Sequence, residues 1–111
     1  MQVPAGWQVA ARLEALEDGV AKDVLIARQL ILLLREGGEV LALQGSCPHQ
    51  FARLAQGQIV KGWIECPHHR ARFRLSDGVC GSGWKLPALK RYATKLHEGM
   101  VLLPDPLVPL S

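Results

Sequence analysis

Two short stretches of this chain bring together the residue types that bind transition metals. Cys47-Pro48-His49 is followed, after a gap of sixteen residues, by Cys66-Pro67-His68-His69, so each stretch offers a thiolate and an imidazole. Such donors suit zinc as well as iron-sulfur chemistry. The spacing discriminates between them. A zinc knuckle usually takes two ligands at least two residues apart from one loop, and the one-residue gap in Cys47-x-His49 is awkward for a single tetrahedral ion. The same gap suits a cluster of two metals, because neighbouring ligands then reach different ions.

The segments that must position these residues read as short strands. Val24 to Ala27 and Leu30 to Leu34 are predicted strands on either side of an Arg28-Gln29 turn, and Glu36-Gly37-Gly38 turns the chain into Val40 to Leu43, which leads to the first stretch. Trp7 to Leu13 opens the domain and Glu17-Asp18-Gly19 turns it. Lys95-Leu96-His97 and Met100 to Leu103 flank a further hairpin at Glu98-Gly99. Only Glu14 to Asp18 has helical character, one turn at most. From Arg70 to Leu75 polar and apolar residues alternate, which sends Ala71, Phe73 and Leu75 to a core and Arg70, Arg72 and Arg74 to the opposite face. Residues 104–111 hold three prolines in eight positions and are predicted to run extended over the surface. No repeat is visible, and the expected class is all-β.

A chain of 111 residues is expected to form one domain, residues 1–111, too small to hold both a metal module and a catalytic domain. Two of its three cysteines belong to the motif, which leaves Cys80 without a disulfide partner and suits a reducing compartment. Cys80 itself reads as a small buried hydrophobe. The N-terminus lacks the pattern of a signal peptide, and the longest apolar stretch, Val24 to Leu34, is too short to span a bilayer. The expected location is the cytoplasm.

The chain resembles the Rieske [2Fe-2S] family, in which two cysteines bind one iron and two histidines the other. Besides the two metal-binding loops, Leu54, Gly57, Ile59 and Gly62 resemble the family's segment between them, and Ala71, Phe73, Asp77-Gly78 and Pro87-Ala88-Leu89 resemble its later turns and third loop. The resemblance covers roughly residues 5–103. It implies stacked antiparallel sheets with a small cluster-binding subdomain at about residues 45–86, and a [2Fe-2S] cluster held by Cys47, His49, Cys66 and His69. His69 is preferred to His68 because the family's second loop is C-x-x-H, and His68 is expected to be an exposed loop side chain. Trp84 falls where the third loop covers the cluster. Family members often carry glycine at the positions of Phe51 and Arg70, so the loops here are expected to be less able to adopt positive φ.

High-potential members carry a serine and a tyrosine where this chain has Ala71 and Phe73, and a loop-bridging disulfide at the positions of Ala52 and His68. Hydrogen bonds to sulfur stabilise the reduced cluster. Their absence resembles the low-potential ferredoxins that carry single electrons from a reductase to a terminal oxygenase, themselves no enzymes. The resemblance leaves two alternatives: a Rieske-like small subunit of a larger oxidoreductase such as assimilatory nitrite reductase, or a cluster-bearing redox sensor.

Charge adds an expectation about partners. Residues 1–52 hold four Lys and Arg against six Asp and Glu, whereas residues 53–95 hold nine against two. Either the arginines at 70, 72 and 74 form a solvated face or they dock an acidic protein surface. The basic residues lack the interleaved aromatics of a nucleic-acid stacking surface, so no nucleic-acid partner is expected, and no membrane.

Overall fold

The computed structural model describes residues 2–48, 51–68 and 70–110. Within them, strands β1 (Trp7–Arg12), β2 (Ala21–Ile26), β3 (Gln29–Glu36), β4 (Glu39–Gln44), β5 (Gln58–Val60), β6 (Trp63–Glu65), β7 (Arg72–Arg74), β8 (Arg91–Tyr92), β9 (Lys95–His97) and β10 (Met100–Pro104) form three antiparallel sheets. Their orders are β1-β10-β9, β2-β3-β4-β8 and β5-β6-β7. Two short 3₁₀ turns, Leu13–Ala15 and Leu54–Gln56, are the helical segments of the described residues. The first overlaps the start of Glu14 to Asp18, where one helical turn was expected, and ends three residues earlier. The second, just after the first metal-binding loop, carries no propensity signal of its own. No helix among the described residues is long and apolar enough to cross a membrane.

β3 explains the layering. Its residues Ile31, Leu32, Leu33 and Leu34 are all buried, which a strand with one wet face does not allow. Leu32 and Leu34, with Leu43 of β4, join a core that contains Cys47, Cys66, Ile64 and Phe73. Ile31 and Leu33, with Val40 and Ala42, join a second core that contains Val101 and Leu103 of β10, Leu16 and Tyr92. The β2-β3-β4-β8 sheet is therefore a middle layer, with the β1-β10-β9 sheet against one face and the β5-β6-β7 sheet against the other. The expected all-β class of stacked antiparallel sheets is the observed one.

Three hairpins turn on a pair of left-handed residues: Ala27-Arg28 (φ 49° and 64°), Lys61-Gly62 (46° and 86°) and Glu98-Gly99 (50° and 77°). This is the pattern whose twist matches that of the strands it joins. The β2–β3 turn sits one residue before the expected Arg28-Gln29, and β2 starts at Ala21 instead of Val24. The register decides it: pairing Val24 with Ile31 and Ile26 with Gln29 keeps Val24 and Ile26 against the second core, and a one-residue slip would exchange the faces. The C-terminal segment bends at Asp105 and Pro106 and forms no strand beyond β10, and it is tied down. Leu107 packs on the second core and the Leu110 N–H donates to the Arg91 carbonyl at 2.7 Å.

Candidate metal centre

Each candidate metal-binding loop emerges from the end of a strand. β4 delivers the chain to Gly45, whose N–H donates to the Leu30 carbonyl at 2.8 Å and where a β-carbon would press on that same carbonyl. β6 delivers it to Cys66. The two loops that follow repeat each other bond for bond. In the first, the Cys47 N–H donates to the Ala52 carbonyl (2.8 Å) and the Phe51 N–H to the Cys47 carbonyl (2.7 Å). In the second, the Cys66 N–H donates to Ala71 (2.8 Å) and the Arg70 N–H to Cys66 (3.0 Å). The shared letters Cys-Pro-His-x-x-Ala, readable at 47–52 and 66–71, are the sequence trace of this repeat.

Phe51 and Arg70 occupy equivalent places, and both have φ of 58°. The expectation that these side chains would hinder positive φ is corrected: the turn is closed by the same two hydrogen bonds in each loop, and these outweigh a left-handed penalty of roughly 1–2 kcal/mol per residue.

The loops bring both cysteines to one place. Cys47 and Cys66 are 0% and 1% exposed and belong to the same core, and no disulfide joins any of the three cysteines. The two expected histidine ligands, His49 and His69, lie outside the described residues. His68 is exposed, as expected. Among the described residues, which leave out His49 and His69, no three His, Cys, Asp or Glu side chains gather to hold a metal ion.

A third segment covers the same core. Cys80, Trp84 and Leu86 are half-buried against the cluster of side chains that contains Cys47 and Cys66. The Cys80 thiol lies 3.6 Å from the Gly81 carbonyl and 3.7 Å from that of Trp84. Trp63 is held differently, with the Arg74 guanidinium 5.7 Å from its ring centroid. Below the site Ala71 and Phe73 are fully buried, and their side chains offer no hydrogen-bond donor. Gly57 closes the frame: a β-carbon there would overlap the carbonyl oxygen of Glu65, the residue before Cys66.

Charge pairing was the part least visible in sequence. Arg72 and Arg74 do point to the exposed face, but Arg72 Nε is 2.9 Å from Glu65 and Arg74 forks onto Asp77 through Nε and Nη2. The two acids of residues 53–95 therefore neutralise two of the three stripe arginines. Arg53 is engaged as well, with both Asp23 oxygens at 2.8 Å, which ties the exit of the first loop to β2. Hydrogen bonding to Arg53 holds the Asp23 carboxyl below its usual range, and hydrogen bonds from Arg74 and the Val79 N–H hold Asp77 down at about 2.

A carboxyl depressed in the folded state stabilises the fold above its ordinary pKa of about 4, and that contribution fades as pH falls through the folded value. Asp23→Asn should accordingly lower the thermal midpoint by a few degrees at pH 7, with the deficit shrinking as both proteins are melted at pH 4, 3 and 2. A deficit that stays constant to pH 2 would assign Asp23 a role unrelated to its charge.

A family model for the Rieske [2Fe-2S] domain matches residues 6–94. The chain belongs to that family. It is 30% identical over 97 residues to the ferredoxin component of the naphthalene 1,2-dioxygenase/salicylate 5-hydroxylase systems of Ralstonia sp, an alignment that covers 87% of this chain and 93% of the relative. It is also 32% identical over 88 residues to mouse apoptosis-inducing factor 3, covering 79% of this chain but spanning only 14% of that protein. Among solved structures, the ferredoxin of carbazole 1,9a-dioxygenase from Nocardioides aromaticivorans IC177 superposes with a TM-score of 0.82 at 24% identity, over 90% of this chain and 98% of the other.

The family's prosthetic group is a [2Fe-2S] cluster, and the residues present fit it. Two thiols lie buried in one core on matching loops, and burial keeps water from the sulfurs.

Proposed function

We propose that this chain is a one-electron carrier of the ferredoxin type, receiving an electron from a reductase and delivering it to a terminal oxygenase in the cytoplasm. Cys47 and Cys66 would hold one iron of the cluster and His49 and His69 the other, within a single domain whose residues 45–86 form the cluster-binding part. The observation that carries this reading is the matched pair of loops. They bury Cys47 and Cys66 in one core while leaving Phe51, Pro67, His68 and Arg70 exposed. The domain is also nearly the whole length of its ferredoxin relative.

When bound, the cluster supplies a reversible one-electron couple. The chain's residues set the conditions for it. Buried Ala71 and Phe73 offer the sulfurs no side-chain hydrogen bond, which disfavours the more negative reduced state. The midpoint potential should therefore lie near roughly −150 mV, the lower end of the Rieske range, and Ala71→Ser should raise it.

The test is direct. Protein reduced chemically and mixed without oxygen with the oxidised oxygenase component of a naphthalene 1,2-dioxygenase system should pass on one electron per chain. A midpoint well above zero, or no transfer to the oxygenase, would refute the reading.

A further inference from the structure

Phe51 is the most exposed large apolar side chain of the described residues, at 79% exposure. It also has left-handed backbone, φ 58°, two residues beyond the expected ligand His49. Both features disfavour phenylalanine at this place. A bulky side chain is a conformational outlier there, and an aromatic ring in water forgoes its burial. The main-chain bonds of the turn, Phe51 N–H to Cys47 and Cys47 N–H to Ala52, need no side chain at all, so glycine would form the same loop without strain.

The equivalent residue of the second loop shows the contrast. Arg70 shares the φ of 58°, but its exposed side chain is polar and well solvated. In the first loop the hydrogen bonds of the turn account for the backbone but not for the ring, which the fold leaves in water.

We infer that Phe51 is the aromatic anchor by which this carrier docks on its terminal oxygenase, its ring entering a shallow apolar recess bordered by a carboxylate. The inference rests on the carrier reading above and assigns a residue to its contact surface. Aromatic rings and arginines dominate the energetics of protein interfaces, the ring because it buries large area with two rotatable bonds. Charge selects the border of the recess. Glu65 and Asp77 are each held by an arginine, Asp23 is held by Arg53, and among the described residues no carboxylate lies within ion-pair distance of Arg70. The metal-binding loops thus present an apolar ring and an uncompensated guanidinium, and a recess with an acidic rim complements both.

The holoprotein variants Phe51→Gly and Phe51→Tyr test this through five readouts: thermal midpoint, visible spectrum, midpoint potential, the carrier concentration giving the half-maximal rate when chemically reduced carrier reduces the oxidised oxygenase of a naphthalene 1,2-dioxygenase system, and the rate at which that system's reductase reduces the carrier. Phe51→Gly should keep spectrum and potential, hold or raise the thermal midpoint by a few degrees, and raise the half-maximal carrier concentration about tenfold, the change expected when one aromatic anchor is lost. Phe51→Tyr should stay within about twofold of wild type, since the ring is retained. An unchanged half-maximal concentration in Phe51→Gly would overturn the inference while leaving the carrier reading intact. So would a lower thermal midpoint with loss of colour, which would make the ring part of the fold. A defect confined to reduction by the reductase would overturn the choice of partner. Failure of the wild-type protein to reduce the oxygenase would bring down the carrier reading, and the docking inference with it.

Discussion

Protein purified in air will contain two irons and two acid-labile sulfides per chain, and Cys66→Ser will lose both together with the visible absorption. Cys66 is 1% exposed, and its own N–H is committed to the Ala71 carbonyl, so the backbone of the loop fixes where its sulfur sits. A serine hydroxyl at the same place does not ionise near neutral pH and does not replace a thiolate as a soft ligand. The histidines extend the test. His69→Ala should lose the cluster and His68→Ala should keep it, because His68 is an exposed side chain of the turn and the family's second loop takes its ligand one residue later. Iron, sulfide and zinc analysis of the four proteins decides the matter: stoichiometric zinc, or one metal ion per chain, would remove the cluster assignment, and a colourless His68→Ala would exchange the two histidines.

The second large effect is on stability. Phe73 is 0% exposed, and its strand position pairs with Ile64 on one side and bridges Cys80 on the other. Its ring belongs to the core shared by Leu32, Leu34, Ile64, Leu75, Cys47 and Cys66. Phe73→Ala removes the whole ring from a packed interior and should cost about 3–5 kcal/mol. Domains of this kind have about 5–15 kcal/mol in total, so the variant should melt more than about 10 °C below wild type. Leu25→Ala is the control, because Leu25 is 72% exposed on β2 and its truncation should change stability by no more than about 0.5 kcal/mol. Thermal melting of the two variants measures both numbers. A Phe73→Ala protein within about 1 kcal/mol of wild type would mean that the surrounding leucines close the gap.

Much of this architecture was legible because it is local. The apolar run at 30–34, the Gly37-Gly38 and Glu98-Gly99 turns and the alternation from Arg70 to Leu75 each determine their own element, and each is found in the structure. What escaped depends on residues far apart in the chain. Glu65 and Arg72 face each other only because β6 and β7 pair in that register, and Asp23 meets Arg53 thirty positions further along the chain. Counting charges along the sequence therefore exaggerated the free basic surface. The left-handed pair Ala27-Arg28 and the left-handed Lys61 before Gly62 were hidden for another reason. Alanine, arginine and lysine give little signal for positive φ, and strand twist together with core register imposes it. Phe51 and Arg70 follow the same rule, with the matched loop hydrogen bonds as the outside constraint.

β1 and β10 are hydrogen-bonded neighbours, with Trp7 opposite Pro104, so the first and last strands of the domain lie side by side in one sheet. A module built this way enters and leaves a longer polypeptide at a single place on its surface. It can be spliced into a host chain, or carry a second domain on either end, without threading new chain past its metal-binding loops, which belong to a core on the other face of the middle sheet. The same unit can therefore be almost an entire ferredoxin in one setting and about a seventh of a much larger protein in another.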